Sequence, residues 1–167
     1  MSEPLIDGVQ SSGRKVACYF SAGSYENWRP DAADFSRADL GSVLAGWEAE
    51  KWLDIRSAHV RRIMQKRPDL AKQKGATVSS RITWMVTRML VEYFDFSVNE
   101  QCHEFNECSL LAPFINAGKP VLNAEYQEEL IANTARRQAL CDAAAREGFS
   151  TLILPVQLDD SFRYRCP

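Results

Sequence analysis

Segments typical of β-strands alternate with segments typical of α-helices along this chain, and that order constrains its fold more than any other feature. The strand-like segments are short and apolar, whereas the helix-like segments are longer and carry apolar residues at helical spacing. Strands that are separated by helices build a parallel sheet. At 167 residues the chain is long enough for one domain with its own core, residues 1–167. The order therefore predicts an α/β domain with a mainly parallel sheet.

The predicted strands are 15–21, 94–100, 120–126 and 150–158, and the predicted helices are 33–44, 57–74, 108–116 and 128–147. The helix over 57–74 has the clearest boundaries, because Ser57 can cap its start and Gly75 can end it. Pro68 lies inside that helix and is expected to kink or split it.

Composition excludes several classes of partner. The formal net charge is -2 at pH 7 and no basic stripe is present, so we expect no nucleic-acid partner. No apolar run is long enough to span a bilayer, so we expect no membrane partner. The first residues, Met1 to Pro4, carry neither the positive region nor the apolar region of a signal peptide.

The five cysteines form no CxxC pair. Cys102 and Cys108 are six residues apart around a turn-like segment, and they would form a disulfide in a secreted protein but stay reduced in the cytosol. A zinc site is not expected, because His103 is the only nitrogen ligand nearby. We therefore predict neither a metal nor any other cofactor.

Polar residues stand at the C-terminal ends of the predicted strands, where α/β proteins bind ligands. They are Ser21, Asn99, Glu100, Glu125, Tyr126, Gln157 and Asp159. Glu100 is the most informative of them, since a carboxyl at that position can act as a general acid. An acid that caps the next helix explains Glu100 equally well, and a satisfied polar rim explains the set.

Three tryptophans follow the first predicted strand. Trp28, Trp47 and Trp52 could stack on sugar rings, although loop or core packing is the more common role of such residues. Close to them, Asp54 and Arg56 form either an acid–base pair at a helix entrance or an ordinary ion pair beside the capping Ser57.

Several blocks of the sequence resemble glycoside hydrolase family 114. They are CYFSAGSYE at 18–26 with WRPD at 28–31, WLDIR at 52–56, VNEQC at 98–102 with FNEC at 105–108, KPV through EY at 119–126, and GFSTL at 148–152. Together the family-like segments cover 13–75 and 91–160. The resemblance implies a TIM barrel and the activity of an endo-α-1,4-polygalactosaminidase, a class also labelled α-galactosidase-like, acting on a polysaccharide substrate.

The same resemblance assigns roles to individual residues. Family members are retaining enzymes that use an Asp and a Glu, and the family's catalytic Glu falls on Glu100. The substrate-binding residues that it implies are Ser21, Tyr25, Glu26, Trp28, Asp54, Arg56, Asn99, Glu125 and Tyr126. The family is usually secreted or held at the cell surface.

The chain also departs from the family pattern. The strand that should carry the family's Asp after the helix ending at Gly75 is not recognisable, and residues 76–90 contain no Asp or Glu. A complete barrel needs about 250 residues. We therefore expect an incomplete barrel with about half of its strands, the third, sixth, seventh and eighth, in which 76–90 is helical or covers an edge.

Such a fragment could self-associate through exposed strand edges. The alternative to an active glycosidase is a catalytically dead remnant, or a sugar-binding fragment that lacks the partner Asp. Asp54, Glu26 and Glu125 are the nearest substitutes for that Asp. An artefact of the gene model, or an alternatively spliced copy, would also explain the deletion.

Overall fold

The computed structural model describes residues 3–81 and 91–167, and the chain divides into two compact units, residues 1–86 and 87–167. Both units contain helices and strands, which confirms the α/β class. Among the described residues, no helix combines the length and the apolar character that crossing a membrane requires.

Unit 1 contains two parallel strands. β1, Ala17–Ser21, pairs in parallel with β5, Thr77–Arg81. Between them runs α2, Ala58–Gln73, and α1, Glu3–Ser11, precedes β1. The predicted capping of α2 is confirmed, because the Ser57 side chain accepts a hydrogen bond from the backbone N–H of Val60. Pro68 lies inside α2 without splitting it.

A three-stranded antiparallel sheet follows β1, where the sequence predicted a helix over 33–44. It is formed by β2, Ser24–Glu26, β3, Leu40–Leu44, and β4, Trp47–Leu53, in the order β2-β4-β3. The helix prediction was wrong, because 33–44 holds only two short 3-10 helices, Ala32–Asp34 and Arg37–Asp39, before β3 begins. Gly46, with φ of 79°, instead forms the tight turn of a hairpin between Leu44 and Trp47.

Unit 2 contains three parallel strands: β6, Phe96–Glu100, β7, Val121–Glu125, and β8, Phe149–Ile153. β9, Tyr164–Arg165, adds to β8 in antiparallel orientation. The helices are α3, Ala112–Asn116, α4, Glu128–Ala132, and α5, Thr134–Glu147. The predicted helix 128–147 is thus two helices, because Asn133 leaves the helical conformation and its side chain caps α5.

Two expectations about the sheet need correction. The strand directions are mixed rather than mainly parallel, because β2, β3, β4 and β9 all pair in antiparallel fashion. In addition, β5 occupies 77–81, inside the segment 76–90 that was expected to hold no strand. The parallel strands therefore number five rather than four within the described ranges, and they form partial sheets. The remainder of the expectation for 76–90 concerns 82–90, which lies outside the described residues.

Candidate functional site

Glu100 is the last residue of β6, and its side chain is half-buried. The Tyr126 hydroxyl donates a hydrogen bond of 2.9 Å to Glu100 Oε1. Gln101 turns the chain sharply, with φ of 60°, and its N–H donates to the Ala124 carbonyl at 2.7 Å. The carboxyl of Glu100 is thus oriented by the neighbouring strand end.

Glu100 and Glu125 end adjacent parallel strands, as predicted, but their side chains lie on opposite faces of the sheet. Glu100 is in register with Ala124, and Glu125 is in register with Ile153. Since side chains alternate between faces along a strand, Glu125 shares the face of Ile153, which packs against Leu130 of α4 and Cys141 of α5. The face of Glu100 is the more open one: Leu122, which belongs to it, is 40% exposed.

Glu125 has no exposed surface and is held by the loop that follows β6. Its Oε1 accepts hydrogen bonds from the His103 backbone N–H at 2.9 Å, from the His103 ring Nδ1 at 3.0 Å and from Asn123 Nδ2 at 3.0 Å. His103 Nε2 lies 3.1 Å from Glu147 Oε2 at the end of α5. The imidazole therefore bridges β7 and α5 a few residues after Glu100.

Charge complementarity stabilises this bridge. The hydrogen bond between His103 and Glu125 raises the pKa of His103 above its usual value, although burial opposes the shift. Burial by itself would raise the pKa of Glu125, but the hydrogen bonds from His103 and Asn123 outweigh it and lower the pKa. Both pKa shifts therefore favour the charged forms of the pair, the imidazolium of His103 and the carboxylate of Glu125.

The stability of unit 2 is expected to depend on His103 in a pH-dependent way. A raised pKa in the folded state gives stability that is complete below about pH 6.5 and is lost as the pH rises through the folded-state pKa. We expect His103→Gln to lower the free energy of unfolding by roughly 1–2 kcal/mol at pH 6, and by less at pH 9. Urea unfolding at both pH values measures this. An equal loss at both would contradict the charged bridge.

The predicted disulfide between Cys102 and Cys108 is present, and it closes the loop that carries His103. The sulfur and nitrogen atoms of these three residues lie within 4.8 Å of one another, but the oxidised thiols are not available as metal ligands. A second disulfide, Cys141–Cys166, ties α5 to the chain after β9. Sequence reasoning missed it, because no local pattern pairs cysteines 25 residues apart.

In unit 1, Glu26 is enclosed by cations. It is 7% exposed, it is ion-paired with Arg29, and its Oε2 lies 3.4 Å from Arg67 Nη1. Arg67 also binds Asp31, with 2.7 Å between Nε and Oδ2, and its Nη1 lies 3.5 Å from the carbonyl oxygen of Ser21. Glu26 and Ser21 therefore belong to one ion-pair network at the end of β1.

The remaining unit 1 candidates are more accessible. The Tyr25 ring packs edge-on against Phe35 with 5.8 Å between the ring centroids, whereas Trp28 is 57% exposed. Asp54 accepts two hydrogen bonds from the Arg56 side chain, at 2.8 and 3.0 Å, and these lower the pKa of Asp54. Asp54, Arg56 and Trp52 line a cleft of about 490 Å³.

Asp39 is a buried residue beneath this cleft that sequence reasoning missed. Its carboxylate accepts hydrogen bonds from Ser36 and Ser57 and contacts His59 Nδ1 at 2.8 Å. These contacts, led by the one from Ser36, hold the pKa of Asp39 well below its usual value. The Ser-x-x-Asp spacing of a capping box was the available signal.

Comparison with known proteins places the chain in a family. The family model described as glycoside-hydrolase family GH114 matches residues 2–77 and 81–167. A crystal structure of Aspergillus fumigatus Ega3 in complex with galactosamine is 34% identical, with a TM-score of 0.66 over 99% of this chain and 84% of that chain. A search of curated proteins gave no match.

A more distant likeness supports the fold alone. The glycoside hydrolase domain of PelA from Pseudomonas aeruginosa is 13% identical, with a TM-score of 0.53 over 95% of this chain and 85% of that domain. The motifs around Glu100, the fold and the family model agree, and this chain belongs to glycoside hydrolase family 114.

Proposed function

We propose that this chain recognises a galactosamine-containing polysaccharide and hydrolyses it only at a trace rate. The proposed linkage is α-1,4, because the chain resembles endo-α-1,4-polygalactosaminidases. Support for the sugar comes from Ega3, which is 34% identical and was crystallised with galactosamine. An α-galactoside is the second substrate that the family resemblance allows.

Glu100 is the proposed catalytic acid. It stands at the C-terminal end of a parallel strand, on the more open face of the sheet, with Tyr126 holding one of its oxygens. In unit 2, Tyr126 is proposed to contact a sugar ring beside Glu100. In unit 1, Trp28, Asp54 and Arg56 are proposed as separate contacts to a ring of the polymer. Asn99 is in register with Asn123 on the face of Glu125, and it is proposed to position the end of β6. Glu26 and Glu125, which are buried, and Ser21 and Tyr25, which are half-buried, are proposed to hold those contacts in place.

The engagement of the three candidate partner carboxylates with cations carries the proposal of trace activity. A retaining glycosidase needs a nucleophile about 5 Å from its acid. β5 follows α2, where the family's Asp is expected, and its sequence TVSSR contains no acid. The substitutes are already engaged: Glu26 by Arg29, Asp54 by Arg56, and Glu125 by His103 on the opposite face from Glu100.

The test is product release from α-1,4-galactosaminogalactan by the purified chain and by its Glu100→Gln variant. The proposal predicts binding of the polymer with product only at trace level. If the polymer does not bind, the proposed substrate is wrong. If product is released rapidly, the proposal of trace activity is wrong.

A further inference from the structure

We infer that the cleft beside Trp52 in unit 1 is a subsite for one amino-sugar ring, with the indole as its stacking platform and the Asp54–Arg56 pair as its polar rim. The inference rests on the proposed function, because the ligand is the same polymer. The cleft volume of about 490 Å³ lies in the usual range of small-ligand pockets.

Trp52 has the exposure and the surroundings that stacking on a sugar requires. It is 42% exposed on β4, and Gly41 of β3 faces it across the sheet. A Cβ atom at Gly41 would lie 3.3 Å from the Trp52 carbonyl oxygen and 3.4 Å from its Cβ. The glycine therefore lets the two strands approach closely. An exposed aromatic face suits the C–H face of a pyranose.

The polar rim has the chemistry to bind a sugar that carries an amine. The Asp54 carboxylate is an acceptor for hydroxyl groups and for a protonated amine, and its pairing with Arg56 keeps it ionised. Arg56 is largely exposed, and a guanidinium has five N–H donors, of which the two side-chain bonds to Asp54 use two. Together they present acceptors and donors beside the indole.

The cleft is preorganised by the buried residue beneath it. The Asp54 backbone N–H donates to the Asp39 carbonyl at 2.9 Å, and the Ser57 hydroxyl donates to the Asp39 carboxylate at 3.0 Å. These bonds tie the segment around Asp39 to residues 54–57, and both segments contribute residues that line the cleft. A binding site that is held in shape before the ligand arrives avoids the entropy cost of ordering it.

Trp47 provides a matched control on the same strand. It is 59% exposed, but it is not among the residues that line the cleft. If the hexamers bound nonspecifically to exposed tryptophans, substitution at either position would weaken binding. A specific subsite involves Trp52 alone.

The experiment is calorimetry at pH 6 with a hexamer of α-1,4-linked galactosamine and with its fully N-acetylated form, using Glu100→Gln protein so that neither hexamer is cleaved. We expect Trp52→Ala and Trp52→Leu to weaken binding of both hexamers about tenfold. Trp47→Ala should stay within about twofold of the parent. We expect Asp54→Asn to reduce the preference for the free-amine hexamer. The leucine variant keeps apolar bulk in β4, which covers the case in which the alanine variant does not fold.

Unchanged binding in a folded Trp52 variant overturns the subsite and leaves the proposed function standing, as does an equal loss in Trp47→Ala. Unchanged amine preference in Asp54→Asn overturns the role of the polar rim. Parent protein that binds neither hexamer overturns the subsite and the proposed sugar together. Product release in the hydrolysis assay is read separately, so it tests the proposed activity without bearing on this cleft.

Discussion

Replacing Cys141 and Cys166 together by alanine is expected to lower the free energy of unfolding by about 3.5 kcal/mol. The bridge closes a loop with a sequence separation of 25, so its loss restores much conformational entropy to the unfolded chain. It also anchors the segment after β9 to α5, within a core that includes Leu130 and Ile153. Urea unfolding of the variant and the parent measures the loss.

The Cys102–Cys108 bridge is the internal comparison. Its loop has a sequence separation of only 6, and the same relation gives about 2 kcal/mol for the corresponding double alanine variant. The Cys141–Cys166 bridge is therefore expected to contribute more to the free energy of unfolding than the Cys102–Cys108 bridge. A larger loss from the shorter bridge would show that loop entropy does not govern these bonds. Two disulfides in unit 2 fit a protein that folds in an oxidising compartment.

Hydrolysis of α-1,4-galactosaminogalactan is expected to be at least about 1000-fold slower than that of a family enzyme with both carboxylates, because removing one member of a catalytic unit loses most of its rate. Glu100 is the proposed proton donor to the leaving oxygen, but the covalent step of a retaining enzyme needs a carboxylate that attacks the sugar. The three substitutes are buried or paired with cations.

A matched variant removes the cation that is paired with Asp54. Arg56→Ala releases the Asp54 carboxylate from its bidentate partner and leaves its position after β4 unchanged. Because pairing with Arg56 is the stated reason why Asp54 is unavailable, the variant is expected to release product faster than the parent. An unchanged rate would show that this ion pair is not what excludes Asp54. A large gain in rate would identify Asp54 as a nucleophile that the ion pair holds back.

The strand ends could be predicted from sequence because their signals are local. Apolar segments followed by polar residues placed Glu100 and Glu125 at the ends of parallel strands, and the spacing of Cys102 and Cys108 pointed to their disulfide. The face to which each carboxylate points was not predicted. The face depends on strand register and on the helices that cover one side of the sheet, and neither can be predicted from the sequence of one strand.

The hairpin of unit 1 was missed for a related reason. The segment 33–44 was predicted to be a helix, and the signal that was overlooked was Gly46, which permits the tight turn between β3 and β4. The ion-pair network around Arg67 also lay beyond sequence reasoning, because Glu26 and Arg67 are 41 residues apart and α2 must pack before they meet. Tertiary contacts, rather than local propensity, decided both features.

The most direct test of the central claim is the rate of product release from α-1,4-galactosaminogalactan by the purified chain, measured beside its Glu100→Gln variant. Circular dichroism of both proteins confirms that each is folded, and binding of the uncleaved polymer confirms that the sugar site is formed. The account predicts polymer binding by both proteins and no more than trace release by the parent. Robust release by the parent that disappears in Glu100→Gln would contradict it, since another carboxylate would then supply the nucleophile.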